Sequence, residues 1–236
     1  MSKMSTILNL IKDIISPKIC YSCKKEWHFL CPQCLQNIKK YNWFCYVCKL
    51  KNDDFEIHKK CQKSVYFDKV IVFTHYKNNL IKKLIKDSKF YGRQEILNEF
   101  WQYLSTKFLE NEQVINKKDY IIISSPMHFF RKIARWYNQS EISSKSISKN
   151  LEIDYNFKII KKVKHTKQQS KLTKQDREKN LENVFQINKK YIEQIKWKTI
   201  IIVDDVISTW TTINEISKIL KENWALKVIW LIIASD

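Results

Sequence analysis

The sequence predicts an α/β fold, a mostly parallel sheet flanked by helices, with a small cysteine-rich module in front of it. Three observations predict this. Residues 200–203 are continuously apolar, the pattern of a strand buried on both faces of a parallel sheet. Residues 119–126 repeat the same passage from apolar run to polar loop, and stretches of helical period lie between such runs. All seven cysteines fall between Cys20 and Cys61.

The chain has 236 residues, 44% of them hydrophobic and 13% aromatic, enough to bury one substantial core with a small appendage. The expected division is residues 1–63 for the N-terminal helix and cysteine-rich module, and 64–236 for the α/β domain. No apolar run approaches the roughly 20 residues of a membrane span. The run Ile7-Leu8-Asn9-Leu10-Ile11 is broken by Lys12 and Asp13 and lacks a small-residue cleavage site. It reads as a short amphipathic helix ending before Pro17, which places the protein in the cytoplasm. The formal net charge of +19 invites a nucleic-acid partner. The chain is also crowded with Lys, Ile and Asn, the mark of an AT-rich genome, so charge alone is weak evidence.

The cysteine block holds four ligand pairs: Cys20 and Cys23, Cys31 and Cys34, Cys45 and Cys48, His58 and Cys61. A two-residue gap lets both side chains of a knuckle turn onto one tetrahedral Zn²⁺. Eight ligands suffice for two structural zinc ions, and sequential and interleaved pairings both fit. His58 is either the eighth ligand or a surface histidine. In a reducing cytoplasm disulfides are disfavoured.

Residues 64–75 then read as one or two strands, and 77–86 as a helix. The turn Lys89-Phe90-Tyr91-Gly92-Arg93 holds the only glycine, and 94–112 is a long amphipathic helix. Beyond the strand in 119–126, Arg131, Lys132 and Arg135 lie within five positions, and guanidinium forks suit pyrophosphate oxygens. Residues 163–179, with Lys164, Lys167, Lys171, Lys174, Arg177 and Lys179, lack apolar periodicity; they resemble a flexible lid that closes over a bound substrate, or form a solvated charge run in a long loop. Residues 227–233 are expected to form the edge strand of the sheet.

The most informative stretch surrounds Asp204 and Asp205. A buried strand ends at this acidic pair. The hydroxyl-rich loop Ser208-Thr209-Trp210-Thr211-Thr212 leads into a helix with Ile213, Ile216, Ile219 and Leu220 on one face. Backbone N–H groups and hydroxyls at such a helix start hold a phosphate. The carboxylates can take ribose hydroxyls, directly or through Mg²⁺.

This stretch resembles the phosphoribosyl pyrophosphate (PRPP) motif of type I phosphoribosyltransferases. More broadly, the chain is similar over nearly its full length to the ComF family of competence-associated, phosphoribosyltransferase-like proteins. The resemblance rests on a co-linear series: Pro17-Lys-Ile-Cys20-Tyr-Ser-Cys23, the zinc module, and Lys89-Phe90-Tyr91-Gly92-Arg93. Pro126 to Arg131 and Arg135-Trp136-Tyr137-Asn138-Gln139 come next. Lys164-His-Thr166-Lys-Gln-Gln169, Arg177-Glu-Lys-Asn180 and the Asp204-Asp205 motif complete it. It implies a type I phosphoribosyltransferase-like fold with a double zinc-ribbon-like module, binding Mg²⁺–PRPP. Asp204 and Asp205 would act on the ribose hydroxyls. Ser208, Thr209, Trp210, Thr211 and Thr212 would hold the 5′-phosphate, and Arg131 and Arg135 the pyrophosphate. The acceptor is open. The resemblance also implies a part in DNA uptake, with single-stranded DNA or a competence helicase as partner. The alternative is a non-catalytic, zinc-containing scaffold for single-stranded DNA on the same fold.

The departures from the family share one direction. Trp136 and Trp210 stand at the family's glycine positions, and Trp197 stands where a Gly-Lys turn usually precedes the strand. Trp224 stands where a helix wants a C′ glycine, and Trp27 and Trp43 lie in zinc-module turns. The chain has one glycine and eight tryptophans, where average usage would give about sixteen glycines. An indole at 210 would obstruct the phosphate, since close backbone approach needs a residue without Cβ. Repeated replacement by one residue type is explained if these codons are UGA, read as glycine in the source organism. The rival explanation is a degenerate paralogue with a blocked site.

Overall fold

The computed structural model describes residues 17–41, 44–52, 55–90, 95–111, 116–126, 139–164, 184–207 and 210–235. Six strands are present there: β1 (Lys69–His75), β2 (Tyr120–Ser124), β3 (Ile160–Lys162), β4 (Phe185–Ile187), β5 (Thr199–Ile207) and β6 (Lys227–Ser235). The helices are α1 (Pro32–Gln36), α2 (Lys59–Gln62), α3 (Asn79–Phe90), α4 (Ile96–Asn111), α5 (Gln139–Leu151) and α6 (Trp210–Glu222). Four strands form one sheet in the order β1-β6-β5-β2, every neighbouring pair parallel. Strands β3 and β4 make a separate antiparallel pair.

The apolar runs are continuous because the sheet is covered on both faces. Alternate residues of each strand serve different cores. Phe73, Ile122, Ile201, Val203, Ile229 and Leu231 face a core shared with α3, α4 and α5. Val72, Ile121, Ile200, Ile202, Val228 and Trp230 face a second core with α6 and the β3–β4 pair. In α6, Ile213, Ile216 and Leu220 are fully buried, as their helical spacing predicts, whereas Ile219 lies partly open at the margin.

Two expectations are corrected. Residues 227–233 are not the sheet edge: β6 lies between β1 and β5 and is buried from Val228 to Ser235. After Lys227 the strand is a run of Val, Ile, Trp and Leu to Ile233, with none of the charges that protect an edge. The strand after Thr199 also does not stop before Asp204. Pairing with β6 continues it through Asp204↔Ile232, Val206↔Ala234 and Ile207↔Ser235.

Strand β1 is one edge, and the cysteine-rich segment closes it. Antiparallel bridges join Lys40 to Thr74 and Glu56 to Lys69, and the Tyr41 N–H donates to the Phe73 carbonyl at 2.9 Å. The segment straddles the edge. Cys20, Leu30, Cys31 and Leu35 enter the first core, while Cys45, Tyr46, Ile57 and Cys61 enter the second. Polar contacts fasten it further: the Tyr21 hydroxyl donates to Asp87 at 2.8 Å, and the Glu99 carboxylate accepts from the Leu30 N–H at 2.7 Å. Among the described residues, no helix is long and apolar enough to cross a membrane. The expected helix around residues 7–11 lies outside the described residues.

Candidate functional site

Each Cys-x2-Cys pair at the start of a half-module forms a knuckle. The Lys24 N–H donates to the Cys20 carbonyl at 3.0 Å, and the Cys20 N–H to the Lys25 carbonyl at 2.8 Å. Twenty-five positions on, the Lys49 N–H donates to the Cys45 carbonyl and the Cys45 N–H to the Leu50 carbonyl, both at 2.9 Å. The isolated bridges Ile19↔Glu26 and Phe44↔Lys51 close the two turns alike. The other pair of each half sits on a short helix: Cys31 is the N-cap of α1, which carries Cys34, and His58 is the N-cap of α2, which carries Cys61.

This resolves the pairing as sequential. Cys20, Cys23, Cys31 and Cys34 form one group, and Cys45, Cys48, His58 and Cys61 the other, each with its ligand atoms within 4.8 Å of one another. Tetrahedral zinc with Zn–S near 2.3 Å sets sulfurs about 3.8 Å apart. The Cys23 and Cys31 sulfurs are 3.6 Å apart, and His58 Nδ1 lies 3.2 Å from the Cys48 sulfur, so His58 sits with the second group, where it could serve as a ligand. Burial would raise the Cys20 thiol. Backbone N–H groups of the knuckle and of Cys31 outweigh it and bring the pKa down to about 6, and Cys45 is lowered in the same way by its knuckle and His58. Both groups could hold zinc.

The second candidate site lies at the carboxyl end of the sheet, where ligands of open parallel sheets bind. Strand β2 stops at Ser124, opposite Val203, while β5 runs on. Asp204 and Asp205 therefore project past the end of β2, and Asp204 pairs with Ile232 on the β6 side. Asp205 is buried, and its Oδ1 accepts from the Lys89 ammonium at 2.9 Å. The Asp204 Oδ1 accepts from the Asp205 N–H at 2.9 Å and from the Ser140 hydroxyl at 3.3 Å. Burial, then the neighbouring Asp205 charge, raises the Asp204 pKa to about 6 against the pull of Ser125 and Lys89. Two carboxylates this close, one poised to gain a proton near neutrality, suit cation or hydroxyl binding.

Trp210 opens α6 and is 39% exposed, followed by the half-buried Thr211 and Thr212. Ser208, Thr209, Arg131, Arg135 and Trp136 lie outside the described residues, as does the lid segment beyond Lys164. Sequence reasoning missed Lys89, Ser125 and Ser140 as partners of the acidic pair. In the sequence Lys89 stands out only as part of a turn motif. Ser125, at the end of a predicted parallel strand, could have been found from that position alone.

No family model matches the chain. Over 217 residues it is 32% identical to competence protein F of Haemophilus influenzae, covering 86% of this chain and 90% of that one. The chain belongs to the competence protein F family. A relative to which it is 25% identical is the DNA utilization protein YhgH of Escherichia coli, over 225 residues, 91% of this chain and 96% of that one. Among solved structures it is similar to the allosteric regulatory enzyme of purine biosynthesis, with a TM-score of 0.37 and 16% identity over 58% of this chain and 26% of that one. A purine phosphoribosyltransferase from Pyrococcus horikoshii gives a TM-score of 0.31 and 18% identity over 70% and 78%.

Proposed function

We propose that this member of the family binds Mg²⁺–PRPP at the carboxyl end of β5 and serves DNA uptake in natural competence, in the cytoplasm. The observation that carries the reading is the pair Asp204–Asp205, held beyond the end of β2 and facing Ser140 and Lys89. In this reading the two carboxylates bind the ribose hydroxyls and orient the sugar. Residues 208–212 hold the 5′-phosphate, and Arg131 and Arg135 take the pyrophosphate. When bound, Mg²⁺ supplies charge neutralisation for the pyrophosphate. The two Cys-rich groups hold structural zinc, and residues 1–63 and 64–236 are the two units of the chain. The reading needs a residue without Cβ at 210, which a UGA codon read as glycine would provide.

The test is calorimetry with Mg²⁺–PRPP on the chain carrying glycine at 210 and on the same chain with Asp205→Asn. Saturable binding that the variant loses at least tenfold supports the site. Equal binding by both chains, or none by either, overturns it. Pyrophosphate release with an acceptor would make the protein a transferase.

A second reading, a non-catalytic scaffold for single-stranded DNA, is favoured by the +19 charge and by relatives named for competence and DNA utilization. It predicts strongly salt-dependent DNA binding that Asp205→Asn leaves unchanged.

A further inference from the structure

We infer that Trp27, Trp197 and Trp224 occupy glycine positions: the natural polypeptide carries glycine there, encoded by UGA codons that the source organism does not read as tryptophan. The backbone supplies evidence that the sequence could not. Six of the eight tryptophans are described, and three of these six lie in the left-handed region, with φ of 77° at Trp27, 60° at Trp197 and 70° at Trp224. Only a few per cent of non-glycine residues adopt positive φ, and a bulky side chain there is an outlier.

A strained residue persists when packing holds it in place. These indoles have little packing to offer: Trp27 is 74% exposed, Trp197 66% and Trp224 59%. Phe55, also left-handed at 57°, is 8% exposed and sits in the first core. Lys24 and Lys49, at 66° and 60°, are the equivalent closing residues of the two knuckles.

The turns themselves have glycine's signature. At the end of α6 the Ala225 N–H donates to the Leu220 carbonyl and the Trp224 N–H to the Lys221 carbonyl, both at 3.1 Å. These are the two bonds of a Schellman motif, which puts Trp224 at C′, the position glycine favours. The Trp197 N–H donates to the Trp224 carbonyl at 2.9 Å, so the second left-handed turn docks on the first. Their exposed rings meet at 5.5 Å between centroids. Trp27 directly follows the bridge that closes the first knuckle.

Trp101 and Trp230 behave differently. The sequence nominates neither as a glycine position. Both are fully buried in the cores, neither has positive φ, and the Trp230 indole N–H donates to the Ser217 hydroxyl at 3.0 Å. The described tryptophans therefore divide into a buried pair, Trp101 and Trp230, and an exposed set of three standing in turns. Trp210, 39% exposed without positive φ, joins the second set only through the proposed phosphate site, so its assignment rests on that reading.

The decisive experiment reads the codons of the natural gene and the masses of peptides from the protein purified from its source. The expected result is UGA and glycine at 27, 197 and 224, with UGG and tryptophan at 230. Tryptophan at any of the first three in the native peptides overturns the inference. Glycine at those three with tryptophan at 210 leaves it standing and removes the proposed phosphate site instead. A second measurement uses the recombinant chain. At 27, 197 and 224 the glycine variant should melt above the alanine variant, because the two differ only by a Cβ that left-handed backbone disfavours. At 230 alanine should melt above glycine. The reverse order at the three turns overturns the left-handed assignment.

Discussion

The Lys89 ammonium lies 2.9 Å from the Asp205 carboxylate, tying the last turn of α3 to the end of β5 across 116 residues. The contact is largely shielded, with side-chain exposures of 21% and 8%. Lys89 also lowers the proton affinity of Asp204. Lys89→Met should therefore cost about 1–3 kcal/mol of stability, the usual cost of leaving a buried charge uncompensated. Denaturant midpoints would measure it. In a double-mutant cycle with Asp205→Asn the two losses should be clearly less than additive, because each change removes the same pair.

Asp204 makes the fold and the site respond to pH in opposite senses. Its carboxyl is raised from 3.8 to about 6, so the folded chain holds this proton more tightly than the unfolded one. The stabilisation is fully present below the ordinary value and is lost as pH rises through about 6. It amounts to about 2–3 kcal/mol at the conversion of 1.36 kcal/mol per pKa unit. Asp204→Asn should flatten this part of a stability–pH curve. Cation affinity at the carboxylates, which needs the ionised form, should instead strengthen over the same interval, as a Mn²⁺ titration between pH 5 and 7 would show.

Much of this was legible in the chain. Residues 200–203 declare a doubly covered strand because nothing polar interrupts them, and the cores on both faces explain why nothing could. The order of strands in space was not legible. Being last in sequence says nothing about being outermost, and β6 sits inside because β1, the first strand, takes the edge that the cysteine-rich segment covers. A carboxylate pair looks like a strand terminator, yet backbone pairing with β6 carries β5 past it. The Cys-x2-Cys spacing reveals knuckles but not partners, since each short gap fixes only two ligands of a tetrahedron. The Lys89 contact spans too much chain for any local pattern to encode it.

The sequential grouping of ligands predicts how zinc is lost. Wild type should carry two zinc ions per chain by atomic emission. Cys20→Ser with Cys34→Ser strikes one group twice and should leave one ion. Cys20→Ser with Cys45→Ser strikes both groups and should leave none. An interleaved arrangement that joined the two knuckles would reverse these counts. Because the two groups enter opposite cores, loss of either should lower the melting temperature, and chelation of both should lower it further.

The tryptophan at the start of α6 gives the sharpest forecast for the proposed site. Trp210 is 39% exposed beside Thr211 and Thr212, at the start of a helix, the end whose dipole favours an anion. A phosphate must approach that backbone closely, and a Cβ with a bicyclic ring stands in the way. Trp210→Gly should therefore raise the affinity for ribose 5-phosphate about tenfold or more, equivalent to about 1.4 kcal/mol. Trp210→Ala should recover only part of the gain, since it restores space for the ring but not for the Cβ. Glycine within a helix costs about 1 kcal/mol, so the tighter-binding chain should also be slightly less stable without ligand. Equal affinity in all three chains would mean that the phosphate does not bind at this helix start.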